Sequence, residues 1–169
     1  ILDIRSIFGA WRDTVIADTL GTLWLGPAYV HALYAQLERP EAPDTVLDAQ
    51  TADDGRQFAD HPPAPLRVLL ACEALQSLGF SHTSSEIRRA WFQCHGESEG
   101  MWTETMWGQY LRVPWDDLFG VGNELIRHII TAPLKSLGQT SLLQVDGMAM
   151  TPERWHQVEA LLESWVAGK

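Results

Sequence analysis

Apolar residues recur at helical spacing through most of the first 80 residues. Between residues 3 and 25 they approximate a 3.6-residue period, which predicts one long helix. Gly26-Pro27 then breaks or kinks this helix, and residues 27–37 continue as a second helical piece. A broad apolar face over residues 65–78, ended by Gly79, predicts a third helix.

The second half of the chain predicts four more helices, over residues 83–94, 102–112, 115–134 and 152–166. The N-cap of the first of these helices is expected to be Thr83 or Ser84. Glu86 lies three residues after Thr83, which is the spacing of a capping box. The last begins at Thr151-Pro152, an N-cap followed by proline at the first helical position.

Two irregular features are expected in this half. The glycines of residues 120–122 should interrupt the helix over residues 115–134, and residues 141–145 suggest one short strand. The whole pattern predicts an all-α protein, an irregular bundle of about seven helices.

An acidic stretch rich in proline and aspartate, residues 38–60, divides the helical pattern. It carries seven acids against two arginines, so it supplies −5 of the net charge of −10. Long loops of this kind in compact domains are functional or disordered. We therefore expect one segment over residues 1–80, with the acidic loop inside it, and a C-terminal helical subdomain of unassigned role over residues 81–169.

The charge balance limits the classes of partner. An acidic chain without a basic stripe argues against nucleic acid and against anionic membranes. Residues 19–37 lack charged side chains and approach the ~20 residues that a membrane span needs, but Gly26-Pro27 and three polar side chains favour a buried pair of helices. Cys72 and Cys94 are the only cysteines, which is typical of reduced thiols in a cytosolic protein.

Three side chains are the candidates for chemistry. Asp18 lies among apolar neighbours on the first helix, and a buried carboxylate is costly unless a partner binds it. His61 is held extended by the proline after it, at the entrance of the third helix, where Arg67 occupies the first turns. Structural roles remain open for each residue: Asp18 bonded to a helix end, His61 packing in a loop, and Arg67 paired with Asp60 or the acidic loop.

These residues together resemble the later half of an HExxH zinc metallopeptidase domain. The likeness is to gluzincins of the CAAX-prenyl-protease and HtpX heat-shock protease type. It is carried by Ala17-Asp18 on a long helix, by Gly-Pro-Ala-Tyr at residues 26–29, and by His61-Pro-Pro with Arg67 six residues later. It covers about residues 11–80.

The resemblance implies a role for each position. Asp18 would orient a zinc-ligating histidine from outside the ligand set, His61 would steady the oxyanion, and Arg67 would help to hold the site together. The family's glutamate ligand falls at Thr14, whose neutral hydroxyl is a poor zinc ligand, and the chain contains no HExxH motif. We therefore expect zinc only if an HExxH half precedes Ile1, and no proteolysis by the chain as it stands.

The alternative is an all-α protein–protein interaction module that is not an enzyme. Its contact surfaces would be the acidic loop and the tryptophans at positions 91, 102, 107 and 115, although core packing is the simpler explanation of those rings. Other sites have little support: the six histidines are scattered, and Cys94-His95 suits neither tetrahedral chelation nor a zinc-finger spacing, although a nucleophilic pair stays open there. The expected partner is thus the upstream half or another protein chain.

Overall fold

The computed structural model describes residues 4–38, 61–96, 100–104 and 110–168, without the side chains of Ser6 and of residues 100–112. The elements in chain order are α1 (Ile4–Leu25), α2 (Pro27–Leu37), α3 (Ala64–Ser77), α4 (Ser81–His95), β1 (Gly100–Glu104), β2 (Tyr110–Pro114), α5 (Trp115–Thr131) and α6 (Pro152–Ala167), with short 3-10 turns at Lys135–Leu137 and Leu142–Gln144. The all-α class is confirmed. Nearly all of the acidic loop over residues 38–60 lies outside the described residues.

The helix predicted over residues 102–112 is wrong. Strands β1 and β2 form an antiparallel pair there, with Gly100 opposite Pro114 and Glu104 opposite Tyr110. The segment is rich in aromatic and β-branched residues, which fit a pleated surface, and such a short apolar run does not distinguish helix from strand by its period.

Three smaller predictions are also corrected. Helix α5 continues through Gly120 and Gly122, and residues 142–144 form a 3-10 turn in place of a strand. That turn begins with a capping box between Ser141 and Gln144. Helix α4 begins at Ser81, two residues before the predicted cap, and Glu86 pairs with His82 on the helix surface instead of closing a capping box.

Thr151 is confirmed as the N-cap of α6, because its hydroxyl accepts from the backbone N–H of Arg154 at 3.3 Å.

The core lies where α1, α3 and α5 pack together, with α2 and α4 against α3. Its largest fully buried apolar side chains come from both halves of the chain: Ile7, Trp11, Leu23, Val30, Leu66, Val68, Leu75, Leu118, Ile126 and Ile130. A Cβ at position 122 in α5 would overlap the buried side chain of Leu70 and crowd the Phe8 ring, which explains why this position is a glycine. The glycine lets α5 approach α1 and α3 closely.

Among the described helices, none is long and apolar enough to cross a membrane. Trp91 lies in the core, and Trp115 is half-buried and packs against the core. Both positions agree with core packing, the simpler explanation of these tryptophans. The side chain of Trp102 and the whole of Trp107 lie outside the described part of the chain.

Candidate functional site

Asp18 is the centre of the candidate site. It lies on α1 and is only 6% exposed. Arg67 on α3 binds its carboxylate in a fork: Nε donates to Oδ2 at 2.8 Å and Nη2 donates to Oδ1 at 2.9 Å. The Tyr29 hydroxyl on α2 donates to the same Oδ1 at 2.7 Å. One carboxylate thus joins three helices.

Local sequence explains how Tyr29 reaches this position. Gly26 adopts a positive φ of 55° between α1 and α2, so the chain changes direction just before Pro27. The Tyr29 ring then lies directly over Gly21 on α1, where any Cβ would overlap the ring. The glycine at position 21 is therefore required for the tyrosine to meet Asp18 one helical turn earlier.

The electrostatics of this group favour a fixed ion pair. The hydrogen bonds from Arg67 to Asp18 raise the pKa of the guanidinium, so its charge is held firmly. Burial, followed by the hydrogen bond to Asp18, raises the pKa of Tyr29 well above its ordinary value of 10.0. The phenol therefore stays protonated and donates at all moderate pH values.

His61 joins the group through Thr14. The Thr14 hydroxyl and His61 Nδ1 are 2.7 Å apart, and which of them donates depends on the imidazole tautomer. Thr14 is half-buried and His61 exposed, so this contact lies nearer the solvent than the Asp18–Arg67 pair. Because Thr14 is four residues before Asp18, both project from the same face of α1. We call Thr14, Asp18, Tyr29, His61 and Arg67 the Asp18 cluster.

The structure thus brings together all three residues singled out from the sequence. Arg67 contacts Asp18 directly, and His61 contacts the residue one turn before it. Asp18 is hydrogen-bonded to two side chains and not to a helix end. Arg67 pairs with Asp18, and Asp60, its alternative partner, lies outside the described residues. Sequence reasoning missed the contact of Tyr29, although Gly-Pro-Ala-Tyr was part of the resemblance and Gly21 marks the place where a ring could pack.

The five residues of the Asp18 cluster do not fit a zinc site. Zinc takes thiolate, imidazole or carboxylate ligands, whereas the ligand position of the family is occupied here by the neutral Thr14 hydroxyl, already hydrogen-bonded to His61. Within the described residues, no three His, Cys, Asp or Glu side chains are grouped so that they could hold a metal ion. Asp18 is fully engaged by Arg67 and Tyr29.

A separate cavity of about 230 Å³ lies between α3, α4 and α5. Its walls are largely aromatic, formed by Trp91, Phe92, Trp115 and Phe119. The cation in it, Arg88, is ion-paired with Glu73 and lies 5.2 Å from the centre of the Phe119 ring. Asp116 and His95 also line the cavity. It is smaller than the ~300 Å³ at which small-molecule pockets begin, so the chemistry of the chain is argued from the Asp18 cluster.

Comparison with known proteins adds no relative: no protein-family model, no curated protein and no solved structure matches the chain. The resemblance to gluzincins therefore stays a prediction that rests on the short sequence matches at Asp18, residues 26–29, His61 and Arg67.

Proposed function

We propose that this chain is the helical part of a zinc-metallopeptidase-like protein and that it does not catalyse proteolysis. One observation carries the proposal. Asp18 and Arg67, which lie 49 residues apart, meet in a buried two-point contact, and His61 meets the residue at the expected ligand position. The resemblance implies one site for Asp18, His61 and Arg67, with Thr14 at the position of the missing ligand.

The contacts support a structural role for the site in this chain. Asp18, Arg67 and Tyr29 tie α1, α2 and α3 together. The resemblance gives this holding role to the arginine, whereas it implies that the aspartate orients a zinc-ligating histidine. His61 and Thr14 satisfy each other's hydrogen bonds at the outer edge of the same face. With a threonine at the expected position of the third zinc ligand, bonded to the oxyanion-side histidine, a metal would lack that ligand, so the cluster acts as a structural brace.

The proposal makes a claim about the neighbouring sequence. A helix bearing HExxH should be encoded upstream of Ile1, because the family's remaining ligands come from that motif. Reading the gene upstream of the Ile1 codon tests this directly. The motif supports the proposal, and an upstream reading frame without it contradicts the metallopeptidase likeness.

Activity is the second test. The full-length protein with its natural Thr14 should not hydrolyse unfolded casein faster than a matched variant in which the glutamate of the HExxH motif is alanine. Chelator-sensitive hydrolysis by the natural protein, lost in that variant, would contradict the absence of catalysis while leaving the family likeness intact. The two tests therefore separate ancestry from activity.

The two free cysteines, one buried and one exposed, support placing the protein in a reducing compartment such as the cytosol.

A second candidate function is a protein–protein interaction module. The surfaces first considered for it, the acidic loop and Trp102 with Trp107, are not described by the structure. The observation that favours it lies elsewhere, on α6, where large apolar side chains are exposed to solvent. A binding role for α6 is compatible with either origin of the Asp18 cluster.

A further inference from the structure

Helix α6 is the part of the described chain that buries least. None of its residues, Pro152 to Ala167, is buried, and all of them are described. The helix is anchored at its start: Arg154 Nη1 donates to the carbonyl of Ala149 at 2.9 Å, and Trp155 packs against the core. Beyond this first turn the helix presents its sides to solvent.

The exposed apolar side chains of α6 form a single stripe. Leu161 is 65% exposed, Leu162 57%, Trp165 80% and Val166 74%, and Val158 continues the row toward the anchored end. Their spacing of three and four residues places them on one face of a 3.6-residue helix. We call these five residues the α6 stripe. A soluble surface does not normally keep two leucines, a tryptophan and a valine together in water, so the α6 stripe indicates an interface.

The border of the α6 stripe is acidic. Glu159 and Glu163 are four residues apart and form a row along one edge, next to Leu162 and Val166. Trp155 Nε1 donates to Glu159 Oε1 at 2.7 Å, and His156 Nδ1 lies 3.2 Å from Glu159 Oε2, so both contacts fix that carboxylate beside the stripe. The helix carries three acids and one arginine, in a chain whose net charge is −10.

Charge decides which occupant fits. In an antiparallel pair of two copies, equivalent edges meet, so the Glu159 and Glu163 rows would face each other and repel. In a parallel pair, the acidic row would face the opposite edge, which presents Gln157 and Ser164 and supplies no cation. An anionic membrane would likewise repel the acidic edge.

We propose that the α6 stripe docks an amphipathic helix of another protein whose apolar face is bordered by lysine or arginine. Helix-on-helix docking of this kind uses side chains at three- and four-residue spacing as anchors. Trp165 is the central anchor, since large aromatic residues contribute most to such interfaces, and the basic border of the partner would pair with Glu159 and Glu163.

The test uses two synthetic helical peptides of about three heptads, with leucine at the core positions. One has lysine at the flanking positions, and the other has glutamate there. We expect the basic peptide to bind the chain at least tenfold more tightly than the acidic one in isothermal titration calorimetry, with an affinity that falls as salt rises. Trp165→Ser and Leu161→Ser should each weaken this binding at least about tenfold. Both residues are exposed, so the fold should survive, which circular dichroism checks.

Ala160→Ser is the matched control, because Ala160 lies on the opposite face of α6 and should bind the basic peptide as the natural chain does. Equal affinity for the two peptides, or equal losses in Ala160→Ser and Trp165→Ser, would overturn the proposal. So would a stable dimer that Trp165→Ser dissociates, since a second copy would then cover the stripe. Binding to anionic phospholipid vesicles that depends on Trp165 would overturn it as well.

Discussion

Arg67 donates two hydrogen bonds, of 2.8 and 2.9 Å, to the two carboxylate oxygens of Asp18, and so connects α3 to α1. Both side chains are largely withdrawn from solvent. A planar guanidinium that matches both carboxylate oxygens is the strongest form of this contact, because geometry and charge act together. The predictions about the site follow from the burial of this pair and of the groups that pack around it.

Asp18→Asn should lower the free energy of unfolding by about 3 kcal/mol, because it leaves the Arg67 charge buried with only a neutral partner. Asp13→Asn is the control on the same helix. Asp13 also pairs with an arginine, but its side chain is 88% exposed, so the change should cost less than about 0.5 kcal/mol. Urea unfolding monitored by tryptophan fluorescence measures both. Equal effects of the two substitutions would mean that the Asp18 pair contributes no more than a surface contact.

Gly21→Ala should destabilise the fold by about 1–2 kcal/mol, because the new Cβ displaces the Tyr29 ring and its hydrogen bond to Asp18. The matched change is Gly9→Ala, also within α1, where a Cβ meets no atom of the described chain within 4 Å. That variant should be more stable by about 0.5–1 kcal/mol, because alanine favours helix over glycine.

The same experiment has an internal check in Tyr29→Phe. If the alanine at position 21 acts by displacing the tyrosine hydroxyl, adding Tyr29→Phe should cost little more, so the two losses should not add. Fully additive losses would show that Gly21 has a separate role.

The two cysteines should differ sharply in reactivity. Cys72 is buried in the core, and this burial raises its pKa to about 12, whereas Cys94 is exposed. Since the thiolate is the reactive form, the native protein at pH 8 should release one equivalent of thionitrobenzoate rapidly from Ellman's reagent, and Cys94→Ser should release none on that timescale. Two rapidly reacting thiols in the folded protein would contradict the burial of Cys72.

The stability should fall in alkaline solution. Burial raises the folded pKa of Cys72 from 9.0 to about 12, and burial with the Asp18 hydrogen bond raises that of Tyr29 above 10.0. The unfolded chain therefore loses these protons first, so their contribution is fully present below about pH 9 and is lost progressively as the pH rises toward 12.

Cys72→Ala tests this pH dependence. Between pH 9 and 10 the loss of free energy of unfolding with pH should be shallower in the variant, by up to about 1.4 kcal/mol per pH unit. Urea unfolding across this range provides the comparison. The change in free energy of unfolding per pH unit is determined for each protein separately, so a constant destabilisation caused by the missing thiol does not affect it. An unchanged slope would mean that Cys72 ionises similarly in the folded and unfolded states.

The sequence predicted the helices that carry the site better than the region after α4. Helices α1 and α3 are long and apolar, and their ends are set by Gly26-Pro27 and Gly79, so their existence and limits followed from local chemistry. The strand pair at residues 100–114 did not, because a short segment with tryptophan, threonine and tyrosine satisfies both periods. The sequence predicts an interruption at Gly120 and Gly122, because the close packing of Gly122 on Leu70 cannot be read from one dimension; a Cβ at Gly120 would meet nothing within 4 Å.

The contacts within the site could be predicted only in part, because they also depend on tertiary packing. The sequence predicts that Asp18 needs a partner, and Arg67 is the charged one that it has. Tyr29 became the third member because the turn at Gly26 and the open surface over Gly21 bring α2 onto α1, which depends on tertiary structure. The hydrogen bonds show how Asp18, Arg67 and Tyr29 are connected, whereas the origin of the site in a metallopeptidase stays a prediction.

Zinc binding by the full-length protein with Thr14→Glu is the most direct test of the proposed origin of the Asp18 cluster. Restoring a carboxylate at position 14 should raise zinc affinity roughly 100-fold or more over the natural protein and bring the bound metal close to one equivalent. Thr14→Gln, which has the same length without the charge, should stay near the natural value. Zinc measured by mass spectrometry after dialysis, if equal in all three proteins, would contradict a cluster derived from a metallopeptidase site.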